Sequence, residues 1–299
     1  MSKINTIRVR TGFFLTFPSV LFVFSFIIYP LINNVFLSFH DYNPLHSQEM
    51  IFIGLKNYQS LAVEPIFKWS LLITALFAVV SVTLETFAGL FVSILFTMFI
   101  KQKSQGVLKW LHRVATSIFI IPWAIPAISA AVTWRLLLHP MYSPINALLG
   151  KQIMWLSNPL LAFFSITIAD VWKCTPYFIF FFIAAILAIP SGQFEAARID
   201  GASAWHEIRY IVLPNLRPII IVAFSFRLID SFTKIFDMVY VLTGGGPGRA
   251  TKVIPLLIQE TGLKFFRFGL AAAMSVVVIF ICIILGTVLL GRNKRGTNQ

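Results

Sequence analysis

Long apolar stretches separated by short polar connections make up nearly the whole chain. Six of them are long enough to cross a bilayer, which takes roughly 20 mostly apolar residues. They lie at about 13–36, 71–100, 114–138, 160–188, 218–242 and 268–290. Pro122 and Pro126 in the third stretch, and Pro176 in the fourth, predict kinks that neighbouring helices can accommodate. The pattern predicts an all-α polytopic membrane protein with six transmembrane helices.

Composition agrees with a membrane-spanning chain, because 58% of the 299 residues are hydrophobic and only 12% are charged. A soluble domain this apolar would expose large hydrophobic patches and aggregate. The net charge of +13 does not indicate nucleic-acid binding, because the sequence has no basic run with interleaved aromatic residues on a soluble domain. We therefore expect a lipid bilayer around the chain and no nucleic acid.

Lys and Arg residues are unevenly divided between the two sides of the predicted spans. Residues 1–12, 101–113, 190–217 and 291–299 hold 13 of the 24, and the opposite connections hold seven. Because cytoplasmic connections carry such an excess, both termini are predicted to be cytoplasmic. Residues 1–12 are then a cytoplasmic segment, 13–290 a six-helix transmembrane domain with a cytoplasmic loop at 190–217, and 291–299 a cytoplasmic tail.

Charged residues inside the fifth span form a regular series. Arg227, Asp230, Lys234 and Asp237 are spaced by three, four and three residues, so they share one helix face and can pair in sequence. Charges at membrane depth usually face a cavity and mark a translocation path. For Arg227 and Asp230 a path is favoured over a structural ion-pair ladder, whereas for Lys234 and Asp237 both interpretations stay open.

The fourth span carries a second polar stripe. Asp170, Lys173 and Tyr177 follow at spacings of three and four, with Trp172 beside them. Two such stripes can line one cavity, and a mixture of polar groups and aromatic faces suits a sugar. An ionic substrate is equally possible on these grounds.

The remaining polar residues of the spans carry weaker signals. Glu85 and Arg135 each stand alone in an apolar stretch, which favours a paired structural role. Cys174 and Cys282 lie far apart in different spans, without the spacing of a metal site, so we expect them in the core and no metal.

Nothing in the sequence indicates an enzyme or a nucleotide site. The chain has no GxxxxGK[ST] phosphate loop, and its Ser, His and acidic residues show no catalytic arrangement. The glycine run at 244–248 follows a membrane helix, so it predicts helix termination and a tight turn. No catalytic residue and no cofactor are expected.

The polar connection before the fifth span carries the most specific motif. Glu195-Ala196-Ala197, three residues, Gly201, nine residues and Ile211-Val212-Leu213-Pro214 match every fixed position of a known cytoplasmic signature, the EAA motif. By this motif the chain resembles the permeases of binding-protein-dependent ABC importers, in the MalF-like carbohydrate uptake subfamily. Further matches are Gly54-Leu55-Lys56-Asn57-Tyr58, Ile121-Pro122, the segment from Trp172 to Tyr177, and the segment from Leu242 to Pro247.

This resemblance implies an ATP-driven machine built from several proteins. It implies that the EAA segment forms two short helices turning at Gly201, the first of which docks in an ATPase subunit. The docking residues would be Glu195, Ala196, Ala197, Asp200 and Gly201. ATP and Mg would be bound by that subunit, not by this chain.

The expected partners are a second homologous permease subunit, two ATPase subunits and an extracytoplasmic solute-binding protein. The expected location is a bacterial or archaeal cytoplasmic (inner) membrane, and the expected mechanism is alternating access.

The resemblance also implies which residues meet the substrate. By position these are Lys173, Cys174, Tyr177, Phe226, Arg227 and Asp230. The expected cargo is a sugar, such as a di- or oligosaccharide, although the charged residues depart from the groups that the family uses for maltose. Glycerol phosphate or a polyol is the alternative within the same architecture. An ion-coupled secondary transporter and a membrane enzyme are less favoured, because neither inverted repeats nor a catalytic constellation is evident.

Overall fold

The computed structural model describes residues 15–45, 49–100 and 117–296. The predicted segments 1–12 and 101–113 lie outside these ranges. Two compact units are present, the first comprising Met1–Glu64 and Ile258–Phe280, the second comprising Pro65–Leu257 and Ile281–Gln299.

Nearly all regular structure is helical. The helices are α1 (Leu15–Ser38), α2 (Lys56–Val63), α3 (Pro65–Ile94, continued by a π-helical segment Leu95–Ile100), α4 (Ser117–Ala124), α5 (Ala127–Leu137), α6 (Pro144–Leu149), α7 (Pro159–Leu187), α8 (Ser191–Ile199), α9 (Ala204–Lys234), α10 (Phe236–Leu242), α11 (Ile254–Gln259) and α12 (Phe268–Gly296). Two short antiparallel strands, β1 (His40–Asp41) and β2 (Ile51–Phe52), pair between α1 and α2.

Five of the described helices, α1, α3, α7, α9 and α12, are long and apolar enough to cross a membrane. A sixth candidate span consists of α4 and α5 together, which are bent by 96°. The predicted all-α membrane fold is therefore confirmed, with the third span broken rather than kinked. Helix α12 also runs through Gly296, so residues 291–296 of the predicted tail are helical.

The break in the third span lies at Pro126. Proline has no backbone N–H and disfavours helical geometry at the residue before it, here Ile125. Helix α4 ends in a bond from Ile125 N to Ile121 O of 3.2 Å, and α5 starts in a bond from Ala130 N to Pro126 O of 3.0 Å. Pro176, by contrast, lies inside α7, which continues through it without interruption.

The fifth span differs from its predicted boundaries at both ends. Helix α9 already begins at Ala204, inside the predicted cytoplasmic loop, and includes a π-helical turn at Ile208–Val212. It ends at Lys234, and the separate helix α10 starts at Phe236. The second of the two short helices expected for the EAA segment is therefore the beginning of the fifth span, not an independent element.

In the first unit, the segment around Asn57 and Tyr58 fixes the end of α1. Asn57 Nδ2 donates to Ser38 O at 2.9 Å and to His40 O at 3.0 Å. The hydroxyls of Ser38 and Tyr58 lie 2.7 Å apart. The Gly54 to Tyr58 match noted in the sequence thus has a structural role, since Asn57 satisfies two carbonyls where the helix ends and Tyr58 pairs with the Ser38 hydroxyl.

The core of the second unit consists of two clusters of apolar side chains. In the first, α3, α5, α7 and α10 meet around Phe77, Ala131, Ile166 and Met238. In the second, α3, α7 and α9 meet around Phe178, and Leu285 of α12 packs against them. These contacts hold the three long helices together and thereby fix the polar residues that lie on their facing sides.

Helices α3 and α7 approach each other closely at Gly89. A Cβ atom at this position would overlap Phe178 Cβ and lie 3.3 Å from Ile179 N. Because small residues permit such contacts between membrane helices, we expect Gly89→Ala to lower the free energy of unfolding by about 1–3 kcal/mol. The thermal unfolding midpoint in detergent measures this effect.

Gly291→Ala is the matched control, because its Cβ would meet nothing within 4 Å. Alanine favours a helix over glycine, so the control should keep or raise the midpoint. An unchanged midpoint for Gly89→Ala would show that the helices separate there at no cost.

Candidate functional site

A buried cluster of charges joins α3, α7 and α9. The guanidinium of Arg227 donates from Nε to Glu85 Oε2 at 2.9 Å and from Nη2 to Glu85 Oε1 at 3.0 Å. Nη2 also donates to Asp170 Oδ2 at 2.8 Å. Glu85 is fully buried, and Arg227 and Asp170 are 5% and 6% exposed. The bidentate geometry is the strongest that an Arg–carboxylate pair offers.

Ser81 completes this cluster from α3. Its Oγ lies 2.7 Å from Asp170 Oδ2 and 3.1 Å from Glu85 Oε1, so its single proton bonds to one of the two carboxylates. The expectation that Glu85 is paired is confirmed. Arg135, for which the same role was expected, instead donates from Nη1 to Val241 O at 3.2 Å.

The charge series of the fifth span is only partly realised. Asp230 Oδ2 lies 3.5 Å from Arg227 Nη1, and Asp230 Oδ1 lies 2.7 Å from Lys234 Nζ. Asp237 falls on α10, beyond the break at Ile235, and forms no ion pair within the described residues. The prediction of one four-residue stripe is therefore wrong at its last member, because the helix ends before it.

A cavity of about 470 Å³ opens beside the charge cluster. Its lining residues come from α4, α7 and α9, and they are Trp123, Cys174, Tyr177, Phe181, Phe226, Arg227, Asp230 and Lys234. Five of the six predicted substrate-path residues are brought together here. The sixth, Lys173, does not line the cavity; its Nζ donates to Ile125 O at 2.6 Å and to Trp123 O at 3.4 Å.

Two lining residues, Trp123 and Phe181, were missed from the sequence. Phe181 lies four residues after Tyr177 on the same helix face, and their ring centroids are 4.7 Å apart. Trp123 follows directly after the Ile121-Pro122 match. Helical spacing could have found Phe181, whereas Trp123 lies on α4, which no helical spacing links to α7 or α9.

Glu85, Asp170 and Cys174 have the composition of a metal site, but the two carboxylates already bind the guanidinium of Arg227. Ligand atoms of Glu85, Asp170 and Cys174 lie within 4.8 Å of one another. The guanidinium of Arg227 bonds to both carboxylates, so a metal ion would have to displace it from a buried, bidentate position. The donor set is better explained by the ion pair than by a metal.

The EAA segment forms a helix followed by a sharp turn, as the resemblance implied. Helix α8 ends in a bond from Gly201 N to Arg198 O of 3.1 Å and one from Ala202 N to Ala197 O of 2.9 Å. Gly201 has φ +78°, the left-handed geometry that closes such a helix end and favours glycine.

Most of the predicted docking residues are accessible. Glu195, Ala196, Asp200 and Gly201 are exposed, and Ala197 is half-buried.

Side-chain contacts fix α8 to the start of α9. Arg198 Nε lies 2.9 Å from Oε1 of the buried Glu207, and Asn215 Nδ2 donates to Gln193 Oε1 at 3.2 Å. Phe194 packs against the second apolar cluster. The exposed motif thus lies on a helix that contacts α9 through these three side chains.

The glycine run after α10 is a helix terminus and turn, as predicted. Gly244 and Gly245 have φ +59° and +87°, and Gly244 N donates to Val239 O at 2.9 Å. Thr251 Oγ1 closes the loop by donating to Gly246 O at 2.6 Å.

Comparison with known proteins decides the family. Residues 89–295 match the family described as "Binding-protein-dependent transport system inner membrane component". The chain belongs to this family. The permease is 36% identical to the trehalose/maltose transport system permease protein MalF of Thermococcus litoralis, over 98% of each chain. It is 31% identical to the trehalose transport system permease protein SugA of Mycobacterium tuberculosis, over 92% of this chain and 85% of the relative.

A solved structure shows the same fold. A chain of the bacterial alginate ABC transporter, in complex with an alginate pentasaccharide-bound periplasmic protein, superposes with a TM-score of 0.84 at 18% identity. The match covers 98% of this permease and 97% of that chain. The interpretation as an ABC importer permease of the inner membrane, a non-catalytic subunit, is thereby confirmed. Permease subunits of this kind carry no cofactor of their own.

Proposed function

We propose that this permease forms half of the translocation path for an uncharged di- or oligosaccharide, with the cavity between α4, α7 and α9 as its part of the binding site. Relatives named for trehalose and maltose transport support a sugar cargo. The cavity combines aromatic faces with a few polar groups, which suits sugar rings and their hydroxyls.

The observation that carries this proposal is that every cation near the cavity is already engaged. Arg227 is bound by Glu85 and Asp170, and Lys234 by Asp230. Lys173 donates to backbone carbonyls. The three positive charges of these residues equal the three negative charges of Glu85, Asp170 and Asp230. No net positive charge is therefore left for an anion.

This balance argues against an anionic substrate. Arg227 and Lys173 were the reason to consider glycerol phosphate, and neither presents a free cation to the cavity. A phosphate would therefore lie beside the Asp230 carboxylate and compete with it for Lys234. A polyol, being uncharged, is distinguished from a sugar by the uptake measurement below.

The partners follow from the exposed EAA segment. We propose that Glu195, Ala196, Ala197, Asp200 and Gly201 dock on an ATPase subunit that binds ATP and Mg. Two such subunits, a second homologous permease and an extracytoplasmic solute-binding protein would complete the importer. ATP-driven closure of the ATPases would move the docked segment and switch the cavity between the two sides of the membrane.

The orientation belongs to the same proposal. Residues 1–12, the loop 190–217 and residues 291–299 face the cytoplasm, and residues 13–290 form the transmembrane permease domain. The excess of Lys and Arg in these connections supports this arrangement.

Asp230 is the acceptor that the cavity offers to sugar hydroxyls. We expect Asp230→Leu to lower sugar uptake about 10- to 100-fold, the effect of losing hydrogen bonds to a charged group. Folding should be preserved, because the Lys234 side chain that loses its partner is 74% exposed. Uptake of labelled trehalose, maltose, a polyol and glycerol phosphate into proteoliposomes holding the complete importer tests both the residue and the substrate class.

Asp237→Leu is the matched control, since Asp237 belongs to the same sequence pattern but does not line the cavity. Its uptake should stay within about twofold of the parent. Faster uptake of glycerol phosphate than of either sugar, or unchanged uptake by Asp230→Leu, would contradict the proposal.

A further inference from the structure

Lys173 lies on α7, which lines the cavity, but its amine bonds to the backbone of the third span. Nζ donates to Ile125 O at 2.6 Å and to Trp123 O at 3.4 Å, and Lys173 does not line the cavity. Trp123 lies in the last turn of α4, and Ile125 follows that helix immediately before Pro126. Lys173 forms no ion pair within the described ranges, and its amine donates to these two carbonyls there.

The break creates the need for such a donor. The last carbonyls of a helix have no intrahelical partner, and hydrocarbon supplies no water to replace one. An ammonium group has three donors and is attracted to the negative end of a helix. Lys173 therefore stabilises a backbone geometry that the third span would not keep alone.

One of the two bonded carbonyls belongs to Trp123, a residue that is 58% exposed and lines the cavity. Tyr177, Phe181 and Phe226 complete an aromatic surface there. Aromatic faces bind the apolar faces of sugar rings, provided that their orientation is fixed.

We propose that Lys173 is a positioning residue, which fixes the end of α4 so that the indole of Trp123 forms a wall of the sugar site. This inference rests on the proposed function, because it assumes that the cavity holds the sugar. It replaces the expected direct contact of Lys173 with the substrate by an indirect one, and it adds Trp123 as a specificity-determining residue.

The test uses the complete importer in proteoliposomes, with labelled trehalose or maltose at saturating loaded binding protein. The variants are Trp123→Leu, Lys173→Met, their double variant and Lys173→Arg. Lys151→Met, in an exposed loop, is the matched control. Sugar uptake and ATP hydrolysis are measured on the same preparations, so that transport per ATP separates a cavity effect from a loss of assembly.

We expect Trp123→Leu and Lys173→Met each to lower uptake per ATP about tenfold, the size of one lost aromatic contact. The double variant should be no worse than either single one, because both remove the same wall. Lys173→Arg should keep uptake per ATP near that of the parent, since a guanidinium group also donates to carbonyls. Lys151→Met should transport as much sugar per ATP as the parent.

Effects that multiply in the double variant would overturn the inference, because Lys173 would then act independently of Trp123. It would also be overturned if Lys173→Met lowered assembly and ATP hydrolysis while Trp123→Leu transported normally. If Asp230→Leu impairs uptake and Trp123→Leu does not, this inference fails and the proposed function stands. If neither variant changes uptake, the proposed function itself fails.

Discussion

Arg227→Met is expected to prevent stable folding rather than only to stop transport. The substitution leaves Glu85 and Asp170 buried without their cation, and their carboxylates both approach the vacated guanidinium position. Breaking a buried pair in this way costs about 3–5 kcal/mol, a large part of the roughly 5–15 kcal/mol that stabilises an ordinary domain. The thermal unfolding midpoint and the yield of monodisperse protein in detergent measure the loss.

A compensating variant makes this expectation specific. Combining Arg227→Met with Glu85→Gln and Asp170→Asn removes all three charges, so no buried charge is left without a partner. The triple variant should therefore recover much of the midpoint that Arg227→Met loses. Lys234→Met, which removes the cation of a largely exposed pair, should cost less than about 1 kcal/mol.

The result also decides between the two interpretations of the charge series. If Arg227→Met folds and assembles normally but transports no sugar, Arg227 is a substrate contact rather than the centre of a structural network. The geometry favours the network, because two of the three bonded guanidinium partners are buried carboxylates.

Glu195→Lys is expected to abolish ATP-driven uptake while leaving the permease folded. Glu195 is exposed on α8, so reversing its charge should change stability by less than about 0.5 kcal/mol. Against a basic partner surface, loss of this acceptor should weaken docking by about 2–5 kcal/mol. Co-purification with the ATPase subunit and ATP hydrolysis stimulated by loaded binding protein both report the effect.

Gly201→Val tests the same loop through its backbone. Its φ of +78° is unfavourable for a β-branched residue, at a cost of about 1–3 kcal/mol, although the added side chain would meet no neighbour at Cβ. The turn after α8 should therefore adopt another backbone geometry. We expect this change to weaken docking of the loop and thereby to lower transport. Glu64→Lys, at another exposed acid, is the control for charge reversal. Normal transport by both loop variants would exclude docking through this segment.

The sequence predicted what depends on local pattern and missed what depends on distant partners. Span positions follow from hydropathy along the chain, and the turn at Gly201 follows from a motif of fixed spacing. The bond between Glu85 and Arg227 joins residues 142 positions apart, which no helical spacing reveals. Glu85 therefore looked isolated, although it binds the most buried cation of the cavity.

Pro126 and Pro176 show the same limit of sequence-based prediction. Pro176 lies in an unbroken helix, whereas Pro126 separates two helices that are bent by 96°. Sequence identifies the lost N–H in both cases. It does not identify Lys173, on another helix, as the donor that satisfies the freed carbonyls at one of them.

The continuity of α9 has a mechanical consequence. Its 31 residues begin in the loop that we propose for docking and end beside the cavity at Lys234. At 1.5 Å per residue this helix is a rod of about 46 Å. A tilt of roughly 10° about its midpoint displaces each end by about 4 Å in opposite directions. If the 190–217 loop docks on an ATPase as proposed, motion there reaches Asp230 along one continuous helix.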